Sequence, residues 1–233
     1  MHKPGIPDDL PAPPELWARA ATMAAVEAAL PSEDFSAFFS VHANGVTHDD
    51  AGGNTWTLSL IEDGRAVLYG CDVEASRTRT REPALDLLAD APAWLPLERL
   101  ASMQRGAELG FVYWHDTGWH RIDYPADLPD DGLASTVGLT ADTERLVRHI
   151  AQDAVGQRWG GEEVEDDELM EALEETVRLA QDGALEDMVR QARERALSAQ
   201  SFAWLGHGWE PDVSAALDVA ARAGLVNGAR GHR

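Results

Sequence analysis

The sequence predicts an α+β protein, with antiparallel hairpins packed with helices and a mostly helical C-terminal part. Two observations carry this. Asp63-Gly64 and Asp116-Thr117-Gly118 each interrupt runs rich in aromatic and aliphatic residues, the pattern of a hairpin turn between strands. Beyond about residue 139, apolar residues instead recur at spacings of three and four, the period of amphipathic helices. With 233 residues and 44% apolar content, the chain is long enough to bury a sizeable core.

Taken in order, residues 1–13 are rich in proline and read as an extended lead-in. Pro14 suits the first turn of a helix running to about Leu30, with Leu16, Ala20, Met23, Ala24 and Leu30 as its apolar stripe. The segment 30–45 has two readings. Asn44-Gly45 fits a hairpin turn. Alternatively, Ser32 caps a helix on which Phe35, Phe38, Phe39 and His42 share one face, ended by Asn44 or Gly45. The helix is preferred, because in a strand Phe38 and Phe39 would point to opposite sides.

A two-residue turn at Asp63-Gly64 would pair Leu60 with Val67, Leu58 with Tyr69 and Trp56 with Cys71. That register puts Trp56, Leu58, Leu60, Val67, Tyr69 and Cys71 on one core face, making Cys71 a core residue. Short helices are expected at 82–90 and 96–105, and a second hairpin at 109–124. A polar connection follows over 125–138. Helices are then expected at about 141–157, 164–181, 184–200 and 211–223, the last starting at Pro211 and stopping at Gly224. The domain reading is an α+β domain over 1–138, a helical segment over 139–224 and a flexible tail over 225–233.

Charge is the feature with most functional content. There are 41 acidic residues against 19 basic ones, a net charge of −22. From Glu162 to Glu175 nine of fourteen residues are Asp or Glu, and no Lys or Arg lies between Arg158 and Arg178. Such a surface repels nucleic acid and anionic membrane and attracts a basic protein partner. Glu162, Glu163, Glu165, Asp166, Asp167 and Glu168 are the candidate docking residues. Trp209, beside Gly208 in a loop that also holds Trp204, joins them as a candidate aromatic anchor.

A competing reading is a metal-dependent enzyme. If Thr117-Gly118 is a two-residue turn, His115 and His120 face each other across the hairpin, with Asp116, His48, Asp49 or Asp50 as a third ligand. A three-residue loop pairs His115 with Trp119 instead. Arg77, Arg79 and Arg81 would project from one side of an extended segment and clamp an anion, or else pair with the chain's own acids. Cys71 is the sole cysteine, which rules out an intrachain disulfide and a multi-cysteine zinc site. The chain has no GxSxG and no GxxxxGK[ST].

With the segment 30–45 read as helix and cap, Leu30, Pro31, Asp34, Phe35, Phe38, Phe39, Asn44 and Gly45 resemble a motif of the SUKH superfamily. The second glycine usual after Asn-Gly is Val46 here. Many bacterial members look like immunity proteins that neutralise toxins by direct binding, so the resemblance implies a binding module with no catalytic residues and no cofactor. The leading expectation is therefore a non-enzymatic, cytoplasmic, acidic protein-binding module. Its alternatives are the metal enzyme and a self-associating scaffold.

Overall fold

A computed structural model describes residues 1–29, 37–142, 146, 174–175, 178–205 and 210–227 of the chain. The protein is α+β, with a six-stranded antiparallel sheet and a helical C-terminal part. Helix α1 (Pro13–Ala29) is followed by strands β1 (Phe39–His42), β2 (Gly45–Asp49), β3 (Thr55–Leu60) and β4 (Ala66–Cys71). Helix α2 (Leu97–Arg105), strands β5 (Phe111–His115) and β6 (Trp119–His120), and the short helices α3 (Leu133–Thr136) and α4 (Gly138–Ala141) come next. Two longer helices are described beyond them, α5 (Leu185–Arg193) and α6 (Val213–Arg222). The strands lie in chain order, β1-β2-β3-β4-β5-β6. The chain divides into two compact units: Met1–Leu16 with Ala43–Ala141, and Trp17–His42 with Asp142–Arg233. Residues 17–42 thus group with the C-terminal part, not with 43–138 as the sequence suggested.

The helix expected through Phe38 and Phe39 is instead strand β1. Phe39 and Val41 are buried while His42 is exposed, the two-residue alternation of a strand. Ala43 and Asn44 turn the chain into β2. Gly45 has φ +146°, and a Cβ there would lie 2.4 Å from the carbonyl oxygen of Leu58, so only glycine fits. Residues 30–36 of that segment lie outside the described residues.

The β3–β4 hairpin forms, but one residue out of the expected register. Its loop is Glu62–Gly64, closed by the Ile61 N–H donating to Arg65 O, with Asp63 and Gly64 at positive φ. Leu60 therefore pairs with Ala66, Leu58 with Leu68 and Trp56 with Gly70. A slip of one flips every side chain of a strand to the other face. Val67, Tyr69 and Cys71 consequently lie across the sheet from Trp56 and Leu58.

Both groups are nevertheless buried, as are all six residues of β4. On one face Val67, Tyr69, Val112 and Trp114 pack with Leu87, Leu95, Leu100, Leu109 and Ile122. On the other, Leu68 and Tyr113 are fully buried, and Leu133 and Gly5 close over Tyr113. Helix α2 forms where expected. The helix expected at 82–90 is a run of turns: Asp86 accepts from the Leu88 N–H, Gln104 Oε1 accepts from the Leu87 N–H, and Asp90 has φ +60°. Side chains thus take the amides a helix would have used. The connection at 125–138 is not a solvated linker, since Leu128, Asp131 and Leu133 are buried and α3 lies within it.

In the second unit α1 is buried on all sides from Ala20 to Val26, not along one stripe; its alanines let neighbours approach from every direction. Helix α5 buries Leu185, Met188, Val189 and Ala192, which recur at helical spacing. It ends at Arg193, short of the expected residue 200, with Arg195 at φ +57°. Helix α6 is capped by Asp212, which accepts from the Ala215 N–H, and stops at Gly224 with φ +72°. Leu225, expected in the flexible tail, is buried and donates its N–H to Ala220 O. Of the helices expected at 141–157 and 164–181, most residues lie outside the described ones; 174–175 and 178–179 are helical.

Three helices share one C-terminal hydrogen-bond pattern. After α2 the Ala107 and Glu108 amides donate to Gln104 O and Met103 O. After α5 Arg195 and Ala196 donate to Ala192 O and Gln191 O, and after α6 Gly224 and Leu225 donate to Ala221 O and Ala220 O. The left-handed position is glycine only at α6; at Ala107 and Arg195 an L side chain sits at φ +55° and +57°. Ala107→Gly and Arg195→Gly should therefore each add about 0.5–1 kcal/mol of stability, the left-handed penalty less the flexibility glycine adds to the unfolded chain. Urea denaturation of the two variants checks this, and a lower midpoint for both would contradict it.

Candidate functional site

The candidate metal hairpin takes the three-residue form. Asp116–Gly118 make the loop, His115 pairs with Trp119, and Trp114 pairs with His120. Facing residues of a hairpin share a side of the sheet, so the two imidazoles lie on opposite sides. His115 meets the edge of the Trp119 ring at 5.3 Å. His120 Nε2 lies 3.2 Å from Asp116 Oδ1, both on the surface. Bonding from the Thr117 N–H, more than the His120 ring, holds the Asp116 carboxyl below its ordinary range.

The proposed third ligands are engaged elsewhere. His48 is buried and stacked on Trp56 at 6.1 Å. Asp49 accepts from the Ala51 N–H, and Asp50 from the Gly52 N–H and from both the backbone and the side chain of Asn54. Burial works against the charge of Asp50, but these donors outweigh it and hold the carboxyl low. Among the described residues no group of three or more His, Cys, Asp or Glu could hold a metal ion.

The arginine clamp does not form either. Residues Arg77–Thr80 make a turn of 3₁₀ helix instead of an extended strand. Arg79 donates to the carbonyls of Ala107 and Val73, and Arg81 forms a two-bond pair with Asp127. Cys71 is buried in the sheet, and burial pushes its thiol up, away from the reactive thiolate form.

The docking candidates Glu162, Glu163, Glu165, Asp166, Asp167, Glu168 and Trp209 lie outside the described residues. Just past them, Glu174 is exposed, while Glu175 and Asp182 both bind Arg178 at 2.6 Å. Arg190 likewise binds Asp187 and Glu194. The negative charge is not confined to the acidic run. The first unit holds 19 acids and 8 bases and the second 22 and 11, so each carries −11.

The most developed polar cluster was not anticipated from the sequence. It sits in the first unit, where the end of β4, strand β5 and the start of α3 bring Asp72, Ser76, Tyr113 and Asp131 together. Asp131 is fully buried. Its Oδ1 accepts from the Gly5 N–H at 2.9 Å and the Leu133 N–H at 3.3 Å, and its Oδ2 accepts from the Tyr113 hydroxyl at 2.9 Å. The Ser76 hydroxyl donates to Asp131 O and accepts from the Asp72 N–H.

The carboxylate of Asp72 accepts from the Glu74 and Ala75 amides. Burial opposes its charge, but the Ser135 hydroxyl and these amides hold its carboxyl below the ordinary range. Burial, and then the charge of Asp131, push the hydroxyls of Tyr113 and Tyr124 far up, so both stay protonated. With Asp72, Ser76 and Asp131 all buried and their donors matched, this cluster is a structural clasp in form. It lacks an exposed nucleophile or base. The Asp-Gly step before a helix start was its one local signal in the sequence.

Comparison with known protein families, with curated proteins and with solved structures finds no match to this chain. Among the described residues no helix is long and apolar enough to cross a membrane.

Proposed function

We propose that the chain is a non-enzymatic, acidic protein-binding module of the cytoplasm, which recognises a basic protein and blocks it by occlusion, as an immunity-type protein does a toxin. The observation that carries this reading is the run of nine acids in fourteen residues from Glu162, with no cation between Arg158 and Arg178. Like charges so crowded repel one another, and a cationic partner relieves that repulsion. The same field speeds encounter with a basic surface and disfavours acidic competitors. The immunity element comes from the SUKH resemblance. That resemblance needs a helix through Phe39–His42, which is a strand, so the binding role rests on the charge. The hairpin does not bring His115 and His120 together, which is what a metal site there would need.

The test is capture from a cytosolic extract by the whole chain, compared with a variant in which Glu162, Glu163, Glu165, Asp166, Asp167 and Glu168 are changed to lysine. A basic protein should be retained by the first and lost by the second. Its association rate with the unaltered chain should fall steeply with salt, and the variant should associate about tenfold or more slowly. Equal capture and equal rates would remove the acidic run from the binding role.

A further inference from the structure

Residues 1–10, part of the stretch the sequence presents as an extended lead-in, are held by carboxylates at two levels: Asp9 folds the segment on itself, and Asp130 and Asp131 tie it to the rest of the first unit. Asp9 Oδ2 accepts from the His2 and Ile6 amides at 2.8 and 3.0 Å, and Asp9 Oδ1 meets the His2 ring at 2.8 Å. Lys3 Nζ lies 3.1 Å from Asp130, and the Gly5 N–H donates to buried Asp131. Arg121 adds one bond, donating to Gly5 O at 3.0 Å, and Trp119 donates to Pro11 O at 2.8 Å just beyond the segment. The backbone–backbone bonds of these ten residues, those of Asp9 and Leu10 to Ile6 and Pro7, stay within the segment. Gly5 is buried so closely that a Cβ would lie 2.5 Å from Leu133 and 2.8 Å from the Tyr113 hydroxyl.

We propose that residues 1–10 form a carboxylate-latched strap, a segment that opens by itself when its acids are protonated, ahead of the sheet, and uncovers Tyr113 and Leu133. The sheet is held by main-chain ladders, which protonation leaves intact. The latch uses charge-assisted bonds and an ion pair, which lose about half their strength or disappear when the carboxylate is neutralised. The charged and titratable groups around it are His2, Lys3, Asp8 and Asp9 on the strap. Tyr113, Arg121, Asp130 and Asp131 touch it; His120 lies on β6, which packs on residues 7–9, with Asp116 bonded to it; Tyr124 sits beside Arg121, and Asp72 feels Lys3. Burial opposes the charge of Asp9, but the Ile6 and His2 bonds outweigh it and hold the carboxyl below its ordinary 3.8. A folded value lowered in this way means stability that is present at neutral pH and lost as the pH falls below about 4.

Hydrogen exchange on the full chain tests the strap, because the Gly5 and Ile6 amides are themselves the latched donors. In the unaltered protein their protection, corrected for intrinsic rates, should be high at pH 7 and fall at least tenfold on acidification while β3 and β4 stay protected. In Asp9→Ala combined with Asp130→Ala the same amides should be at least tenfold less protected already at pH 7, with the sheet unchanged and little further loss down to pH 4. Loss of protection at Gly5 and Ile6 only together with β3 and β4 would overturn the proposal. So would an unlatched Gly5 amide at pH 7 in the unaltered chain, or a variant that exchanges as the unaltered chain does.

Discussion

Asp131→Ala is expected to lower the stability of the protein by about 4 kcal/mol, against about 1 kcal/mol for Asp131→Asn. Alanine leaves three donors without an acceptor in a place water does not reach: the Gly5 and Leu133 amides and the Tyr113 hydroxyl. Each unmatched buried donor costs on the order of 1–3 kcal/mol, and the sum is softened only by what relaxation allows. Asparagine keeps Oδ1 for the two amides. Its Nδ2 would face the Tyr113 oxygen, whose hydroxyl can turn and accept. The charge is lost and the Tyr113 hydroxyl hydrogen gives up its acceptor, against three stranded donors in the alanine variant.

A double-mutant cycle sharpens the expectation. Tyr113→Phe should cost about 1.5–3 kcal/mol with Asp131 present and should restore about 1 kcal/mol or more in the Asp131→Ala background, where it removes a donor already stranded. Denaturant curves on the four proteins read all of this. Equal costs for alanine and asparagine would mean that the carboxylate's acceptors are not what the site requires.

What the sequence showed and what it hid follow from how local each feature is. Both hairpins announced themselves through turn residues between apolar runs, and the α5 stripe and the Gly224 stop needed nothing beyond helical spacing and glycine's left-handed freedom. The register of β3 on β4 was hidden for a specific reason. Strand β4 reads Ala-Val-Leu-Tyr-Gly-Cys, apolar on both faces, so alternation gave no sign of which side was which. The turn alone had to decide, and Asp63-Gly64 serves a three-residue loop as readily as a two-residue one. The His115–His120 hairpin failed in the same way, by one loop residue.

Strand β1 was hidden because a long-range contact holds it. The Glu27 carboxylate accepts from the Phe39 N–H at 2.8 Å, a tie across twelve residues that no local pattern reports. Asp131 was hidden among its look-alikes. Asp123, Asp127, Asp130 and Asp131 are the same residue within nine positions, and only burial separates the clasp from its solvated neighbours.

Gly70→Ala should destabilise the protein by about 3 kcal/mol, although the same exchange at Gly118 should stabilise it by about 0.4–1 kcal/mol. Chain entropy alone predicts a gain at both, because alanine leaves the unfolded state fewer conformations to lose. Packing reverses the sign at Gly70. That residue lies mid-strand between Trp56 on β3 and Phe111 on β5, which pair with it from either side. A Cβ on Gly70 would stand 2.3 Å from Thr55 O, 2.6 Å from the Trp56 Cβ and 2.8 Å from the Phe111 ring. The nearest of these is backbone and cannot swing away, and the two rings belong to side chains almost without exposure. Room for one methyl must come from moving a strand, at the upper end of what overpacking costs. At Gly118 nothing lies within 4 Å of the added carbon, and φ is not in the left-handed region. The two melts, compared under identical conditions, decide the matter. If both substitutions shift the midpoint in the same direction, Trp56 and Phe111 do not close over Gly70 as described, and the order of strands β3, β4 and β5 must be read differently.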